Sequence, residues 1–295
     1  VKPAPFAYHR PSTVEEALAT LAAHGPEAKP LAGGQSLIPA MNFRLAKPAV
    51  LVDLNGVTEL AFVRATGDGT RIGAMARQRT VERDPMVGRA VPLLAEALPH
   101  VAHAQIRNRG TIGGSVAHAD PAGEIGAVLL ALGARFVLRG PAATRTVPAD
   151  GFYTGLFATA LEPGELLVEV IVPPAPPRTG WSFLEVARRH GDYALAGVAA
   201  TVTLDEAGRC RDARIALLGV AEGPVLATRA AKALAGERPT EKAFKEAAGA
   251  AAAKDIEPPG DIHASAAYRR QLVAVLTRRA LATACERGAA RGPGS

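Results

Sequence analysis

Cysteine is nearly missing from this sequence: Cys210 and Cys285 are the only two in 295 residues. No Cys-x-x-Cys pair exists, so the chain alone can build neither an iron–sulfur cluster nor a cysteine-based zinc site. The N-terminal stretch Val1-Lys2-Pro3-Ala4-Pro5 has no apolar core of the kind that directs secretion, which argues against a disulfide. Long apolar runs are also lacking. The longest strongly apolar stretch, Ile125 to Ala134, is too short to span a bilayer. The expectation is a soluble, cytoplasmic protein without a transmembrane segment. Net charge is +6, but Lys and Arg are scattered, with no run of five and no interleaved aromatics. A nucleic-acid interface needs a clustered basic footprint, so none is expected. Aromatic residues make up only 4%, so Ala, Val and Leu must fill the core. The seven histidines are dispersed. His100 and His103 lie close together, yet no third ligand accompanies them, and they are read as structural rather than metal-binding.

The apolar fraction of 48% and the chain length suit about two domains. Ser12, with Glu15 three residues on, predicts a capped helix start, followed by Val14, Leu18 and Leu21 on one face and Gly25 at the end. Ala28 to Ala32 and Val50 to Leu54 read as strands. Leu60 to Val63 and Arg71 to Ala74 read as strands around Thr66-Gly67-Asp68-Gly69. Helices are expected at Thr80–Arg83, Val91–Val101 and Glu124–Leu132, and strands at Arg135–Arg139 and Leu166–Pro173. The run Pro173-Pro174-Ala175-Pro176-Pro177 continues neither helix nor central strand and marks a domain boundary. Beyond it, strands at Trp181–Arg188, Ala196–Leu204 and Ala213–Val220 precede helices at Ala227–Leu234, Thr240–Lys254 and Ser265–Cys285. The last third is therefore an α+β layer. Arg291 to Ser295 is expected to be a frayed tail.

Two glycine pairs stand out, Ala32-Gly33-Gly34-Gln35-Ser36 and Thr111-Ile112-Gly113-Gly114-Ser115. Adjacent glycines permit positive φ and carry no Cβ to obstruct a ligand. Successive backbone amides can then converge on a phosphate oxygen. Neither segment matches the dinucleotide or P-loop fingerprints. Each pair alone is more commonly a structural turn; two together would suit a diphosphate. Asp120 and Glu124 sit at an expected helix start. They either cap that helix or accept hydrogen bonds from ribose or ribityl hydroxyls. Arg107 and Arg109 either offset a bound diphosphate or are solvated loop residues.

The residues around these pairs are more specific than the glycines. Pro30 to Pro39 and Gln105 to Ser115 resemble the FAD-binding medium subunit of the molybdenum hydroxylases, the carbon monoxide dehydrogenase and xanthine dehydrogenase family. Pro5 to Pro11, Gly191-Asp192-Tyr193-Ala194 and Tyr268-Arg269-Arg270 extend the resemblance over nearly the whole chain. It implies a PCMH-type FAD-binding domain over 1–176, with subdomains of about 1–56 and 57–176. A C-terminal domain over 177–295 would follow, with a three-stranded antiparallel sheet and helices.

The resemblance also implies site roles. Ala32, Gly33, Gly34, Gln35, Ser36 and Leu37, with Thr111, Gly113, Gly114 and Ser115, would hold the pyrophosphate and nearby ribityl chain. Val101 would pack near the dinucleotide. Asp120 and Glu124 match acidic positions, and Leu167 would offer backbone atoms to the flavin. Tyr193 would lie beside the isoalloxazine; its reading without the resemblance is a half-buried strand residue. One departure is Gln35, where the family often has His, which leaves that side chain's role open. The implied partners are a small [2Fe–2S] subunit and a large molybdopterin subunit, in a dimer of heterotrimers. Electrons would pass through FAD to an external acceptor. The alternatives are a stand-alone flavin oxidoreductase and a non-enzymatic assembly factor of the same fold. Catalytic side chains are not expected, since the flavin carries the chemistry.

Overall fold

The computed structural model describes residues 2–291; the expected tail at 292–295 lies outside them. The chain opens with strand β1 (Ala7–His9), helix α1 (Val14–His24), β2 (Ala28–Leu31), α2 (Leu37–Asn42) and β3 (Val50–Asp53). These strands form a parallel sheet in the order β1-β3-β2. Val14, Ala17, Leu18 and Leu21 of α1 bury against Val50 and Val52. The helix cap is shifted by one residue from the expected position. Thr13, not Ser12, accepts from the Glu16 amide at 3.2 Å, while the Ser12 amide and hydroxyl both donate to Glu16 Oε2 at 2.8 Å.

Next come β4 (Val63–Thr66) and β5 (Gly69–Gly73), followed by the short helices α3 (Gln78–Arg83), α4 (Pro85–Ala90), α5 (Pro92–Ala97), α6 (Ala104–Arg107), α7 (Ile112–His118) and α8 (Glu124–Ala131). Then follow β6 (Arg135–Arg139), β7 (Thr144–Pro148), the small hairpin β8 (Tyr153–Gly155) and β9 (Ala158–Thr159), and β10 (Leu166–Val172). The main sheet here is antiparallel, β4-β5-β10-β6-β7, so the last strand in sequence is central. Two expectations change. The strand expected at Leu60–Val63 begins only at Val63, because Thr58–Leu60 is a 3₁₀ turn. The single helix over Val91–Val101 ends at Ala97 and yields to a 3₁₀ turn at Leu98–His100. Pro99 lacks the amide and clashes with the preceding turn, which accounts for the break.

The rest of the chain forms β11 (Thr179–Ala187), β12 (Ala194–Leu204), β13 (Cys210–Leu218) and β14 (Val225–Leu226), then α9 (Thr228–Leu234), α10 (Glu241–Lys254) and α11 (Ala266–Ala290). The three expected strands are present in antiparallel order, and β14 adds a two-residue fourth. Almost every residue of β12 is buried. Val198, Ala200 and Val202 join the core under the C-terminal helices, while Ala199 joins the core of the preceding region. Alternate side chains of a strand face opposite ways, and alanines let both layers pack close. Cys210 and Cys285 meet in that C-terminal core as free thiols. Glu96 of α5 links the layers. It accepts from the Trp181 indole at 3.1 Å, the Phe183 amide at 2.9 Å and Arg287 at 2.6 Å. Among the described residues, no helix is long and apolar enough to cross a membrane.

Candidate functional site

The first glycine segment leaves the carboxyl end of β2, where the parallel sheet opens, the usual position for a ligand in such sheets. Gly34 takes φ +75°, which only glycine adopts without strain. The amides of Gly33, Gly34, Gln35 and Ser36 donate to no acceptor among the described residues. Ser36 is the N-cap residue of α2, and its hydroxyl makes no capping bond. The Gln35 side chain turns back on its own loop, Nε2 donating to the Gly33 carbonyl at 3.1 Å. Unpaired amides at a loop-to-helix junction are donors free to take an anion.

The second segment differs, against expectation. Thr111 is the N-cap of α7, and Ile112, Gly113, Gly114 and Ser115 are its first turn. Their amides are already engaged. Ile112 donates to Ala76 O at 3.0 Å, Gly113 to Ala74 O at 2.9 Å, Gly114 to Thr111 Oγ1 at 3.0 Å and Ser115 to Thr111 O at 3.2 Å. It is therefore a capped helix start and not a second row of free donors. Gly113 is glycine because a Cβ would lie 2.4–2.8 Å from Ala74.

The two segments touch. A Cβ on Gly33 would stand 2.5 Å from the Arg109 carbonyl oxygen and 2.7 Å from Gly110 Cα. A Cβ on Gly114 would stand 3.2 Å from Ala32 Cβ. The bare face of Gly33 thus serves contact with the second segment, not the close ligand approach first expected. Beside this junction runs a groove of about 370 Å³ lined by Tyr8, Ala32, Gly33, Gly34, Gln35, Asp53, Asn55 and Arg109, among others. Asp53 accepts from the Tyr8 hydroxyl and from the Asn55 amide at 3.0 Å. Burial alone would raise its pKa, but these hydrogen bonds outweigh it and hold the carboxyl below its usual range.

The arginines flanking the second segment divide. Arg107 is buried and donates to Glu82 at 2.8 Å and to the carbonyls of Val101 and Ala102 at 2.9 and 3.0 Å. It is neither a solvated residue nor a groove residue. Arg109 lines the groove.

A second cluster lies at the loop between β11 and β12 and the start of α8. The loop joining the two strands packs Gly191 (φ +86°) against the His103 ring and the Ala102 carbonyl, next to Val101. It leaves Tyr193 68% exposed just before β12. Tyr193 is thus an exposed loop residue and not a half-buried strand residue. Partial desolvation raises its phenol pKa, and the carboxylates of Asp120 and Glu124 add to this, which places the three together. Asp120 Oδ1 accepts from the Ala122 amide at 2.9 Å, closing a turn rather than capping α8, whose N-cap is Gly123. Glu124, the first residue of α8, is 8% exposed, and burial pushes its pKa up to about 8. At neutral pH it is mainly a neutral carboxyl, able to donate as well as accept. His100 lies 3.3 Å from Glu185, and that hydrogen bond raises its pKa. The Leu167 side chain is buried on β10, a strand that packs against α7, beside a register shift at Leu167/Glu169.

Tyr8, Asp53, Asn55 and Arg77 were not singled out from sequence as site residues. The available signal was an Asp at the carboxyl end of a buried parallel strand with Asn two residues on.

Residues 4–175 match the FAD binding domain in molybdopterin dehydrogenase, and 181–284 match the CO dehydrogenase flavoprotein C-terminal domain. The chain is 42% identical over 287 residues to the 6-hydroxypseudooxynicotine dehydrogenase complex subunit alpha of Paenarthrobacter nicotinovorans, covering 97% of each. It is 41% identical over 286 residues to the carbon monoxide dehydrogenase medium chain of Hydrogenophaga pseudoflava, covering 97% of this chain and 99% of that one. The solved carbon monoxide dehydrogenase from that organism, in a form lacking the Mo-pyranopterin moiety, superposes with a TM-score of 0.94 at 42% identity, covering 97% of this chain and 99% of that chain. The chain belongs to the FAD-binding flavoprotein family of the molybdopterin dehydrogenases, and it is a FAD-carrying, electron-transferring oxidoreductase subunit of a heteromeric molybdenum hydroxylase.

Proposed function

We propose that the FAD pyrophosphate is held by Ala32, Gly33, Gly34, Gln35, Ser36 and Leu37. The observation that carries this is the row of unpaired amides from Gly33 to Ser36, of which Gly33, Gly34 and Gln35 line a groove that also holds Arg109. Unpaired amides and a nearby guanidinium fit a diphosphate in both charge and donor count. Thr111, Gly113, Gly114 and Ser115 then form the opposing wall. Their amides are engaged, so this wall acts through its shape and the Ser115 hydroxyl. Asp120 and the neutral Glu124 take ribityl or ribose hydroxyls. Val101 and Leu167 border the dinucleotide, and Tyr193 covers one side of the isoalloxazine. The FAD-binding region spans 1–176 and the C-terminal domain 177–295.

FAD, when bound, accepts electrons and releases them to a separate acceptor. The chain's own residues bind it, set its surroundings and control access. With two buried, free cysteines the chain holds no cluster of its own. The [2Fe–2S] clusters belong to a small partner subunit and the molybdenum centre to a large one, in a dimer of heterotrimers. The purified chain incubated with FAD should become yellow, with flavin absorption near about 450 nm, a property of the cofactor. A chain that stays colourless in excess FAD would refute the assignment.

A further inference from the structure

At the groove, two side chains, Asn55 and Arg77, join the two glycine segments. Asn55 Nδ2 donates to the Ala32 carbonyl at 3.0 Å and also to Asp53. Asn55 Oδ1 accepts from Arg77 Nη2 at 2.5 Å. The other terminal nitrogen of Arg77 donates to the Arg109 carbonyl. Arg77 thus bonds the second segment directly and the first through Asn55. With Nδ2 facing two acceptors and Oδ1 facing a guanidinium, the Asn55 amide has one satisfactory orientation.

The consequence follows from peptide geometry. In a trans peptide the carbonyl and the following N–H point in opposite directions, and the chain has no cis bonds among its described residues. By holding the Ala32 carbonyl, Asn55 turns the Gly33 amide away from its own side chain. Gln35 does the same one residue on. Its bond to the Gly33 carbonyl turns the Gly34 amide away from that side chain. Arg77 also makes no ion pair with a described carboxylate. Its polar contacts are two neutral oxygens, and Asp53 reaches it only across the Asn55 amide. A positive charge therefore sits next to the first glycine loop, one side chain removed from it, half-buried and not cancelled by direct pairing with a described carboxylate.

We infer that Asn55 and Arg77 are positioning residues for dinucleotide binding, a clamp that aims the Gly33 amide and fixes the gap between the two glycine segments. The inference rests on the phosphate assignment proposed above. It goes further by naming residues outside both glycine segments.

The test uses the purified full chain, stripped of flavin and titrated with FAD and with ADP, which carries the diphosphate without the flavin. Asn55→Asp replaces the donor facing Ala32 by an acceptor. Arg77→Gln removes the charge and the bond to Arg109. Each should bind both ligands about tenfold more weakly or worse, the scale for a lost hydrogen bond to a charged group. The ³¹P resonances of FAD at saturation should shift, a change that general loss of stability would not produce. Arg77→Lys keeps the charge but not the two-pronged geometry. It should fall between wild type and Arg77→Gln, and it carries the test if Arg77→Gln does not fold. Wild-type affinity and unshifted phosphorus resonances in Asn55→Asp and in whichever Arg77 variant folds would overturn the clamp. If Gly33→Val lost FAD in the same series, the phosphate assignment would survive that result. A wild-type chain that took up neither ligand would instead refute the assignment itself, and the clamp with it.

Discussion

Replacing Gly33 by alanine adds one methyl group at the junction of the two glycine segments. That methyl would lie 2.5 Å from the Arg109 carbonyl oxygen, against about 3.4 Å for ordinary contact. The obstacle is backbone and is held firmly: Arg109 and Gly110 donate to the Ile106 carbonyl at 3.0 and 2.7 Å, and Arg77 grips the Arg109 carbonyl. The first loop must therefore retreat by nearly an ångström, taking its amides with it. Overpacking of this kind costs about 1–3 kcal/mol. If that falls on the bound geometry, FAD affinity drops by roughly 5- to 150-fold.

Gly34→Ala is the control. Its new methyl would meet Ile38 Cγ1 at 3.2 Å and Leu31 Cδ1 at 3.3 Å, the ends of rotatable side chains. Its cost is the positive φ of +75°, about 1–2 kcal/mol for an L-residue. That strain is present with and without ligand, so it lowers the melting temperature of the flavin-free chain more than it weakens FAD binding. Titration by flavin fluorescence and thermal melting of the stripped chain separate the two effects. Gly33→Ala with wild-type affinity, or Gly34→Ala losing more affinity than Gly33→Ala, would refute the reasoning.

The flanking arginines should separate in the same assays. Arg107→Ala leaves the Val101 and Ala102 carbonyls without their donor and Glu82 with Arg79 as its remaining partner, and should destabilise the fold by about 1–3 kcal/mol, read as a lower denaturant midpoint. Arg109→Ala should leave that midpoint in place and weaken FAD binding several-fold at low salt, the deficit shrinking as salt rises. Glu124 titrates near about 8 in the native chain, against roughly 4.3 when unfolded. Between these values the native state holds more protons, so stability falls as pH rises through that window. Glu124→Gln should flatten the fall, with the melting temperature matching wild type at pH near 5 and exceeding it near 9; parallel curves would show that Glu124 is not buried as described.

The strands and helices of the C-terminal third were legible because each carries its own apolar run between turn residues. Ala194–Leu204 is apolar at nearly every position, and a strand buried on both faces needs that. β7 was not legible. Its alternation of exposed and half-buried residues in Thr144–Pro148 carries little apolar signal, and only its partner β6 defines it. The break at Pro99 was legible in principle, since proline is visible in the sequence, but the apolar face formed by Leu94, Ala97 and Leu98 outweighed it. The candidate site was legible through its glycines. It was illegible in Asn55 and Arg77, whose importance lies in contacts 22 and 32 residues away along the chain.

The two glycine pairs are nearly identical as text and opposite in hydrogen bonding. At Gly33-Gly34 no described residue accepts the amides, because the loop runs off the open end of a parallel sheet. At Gly113-Gly114 a threonine cap and the Ala74 and Ala76 carbonyls take them up. The difference is tertiary: it depends on where Ala74 and Ala76 sit, and no local rule contains it. Gln35 belongs to the same logic. Its amide donates to the Gly33 carbonyl at 3.1 Å, a bond that helps hold the open loop in shape. Histidine at that position would make such a bond with a ring nitrogen whose protonation changes near neutrality. Glutamine has the donor without the titration. Gln35 therefore ties the loop to itself with a side chain that carries no proton-exchanging group near neutrality.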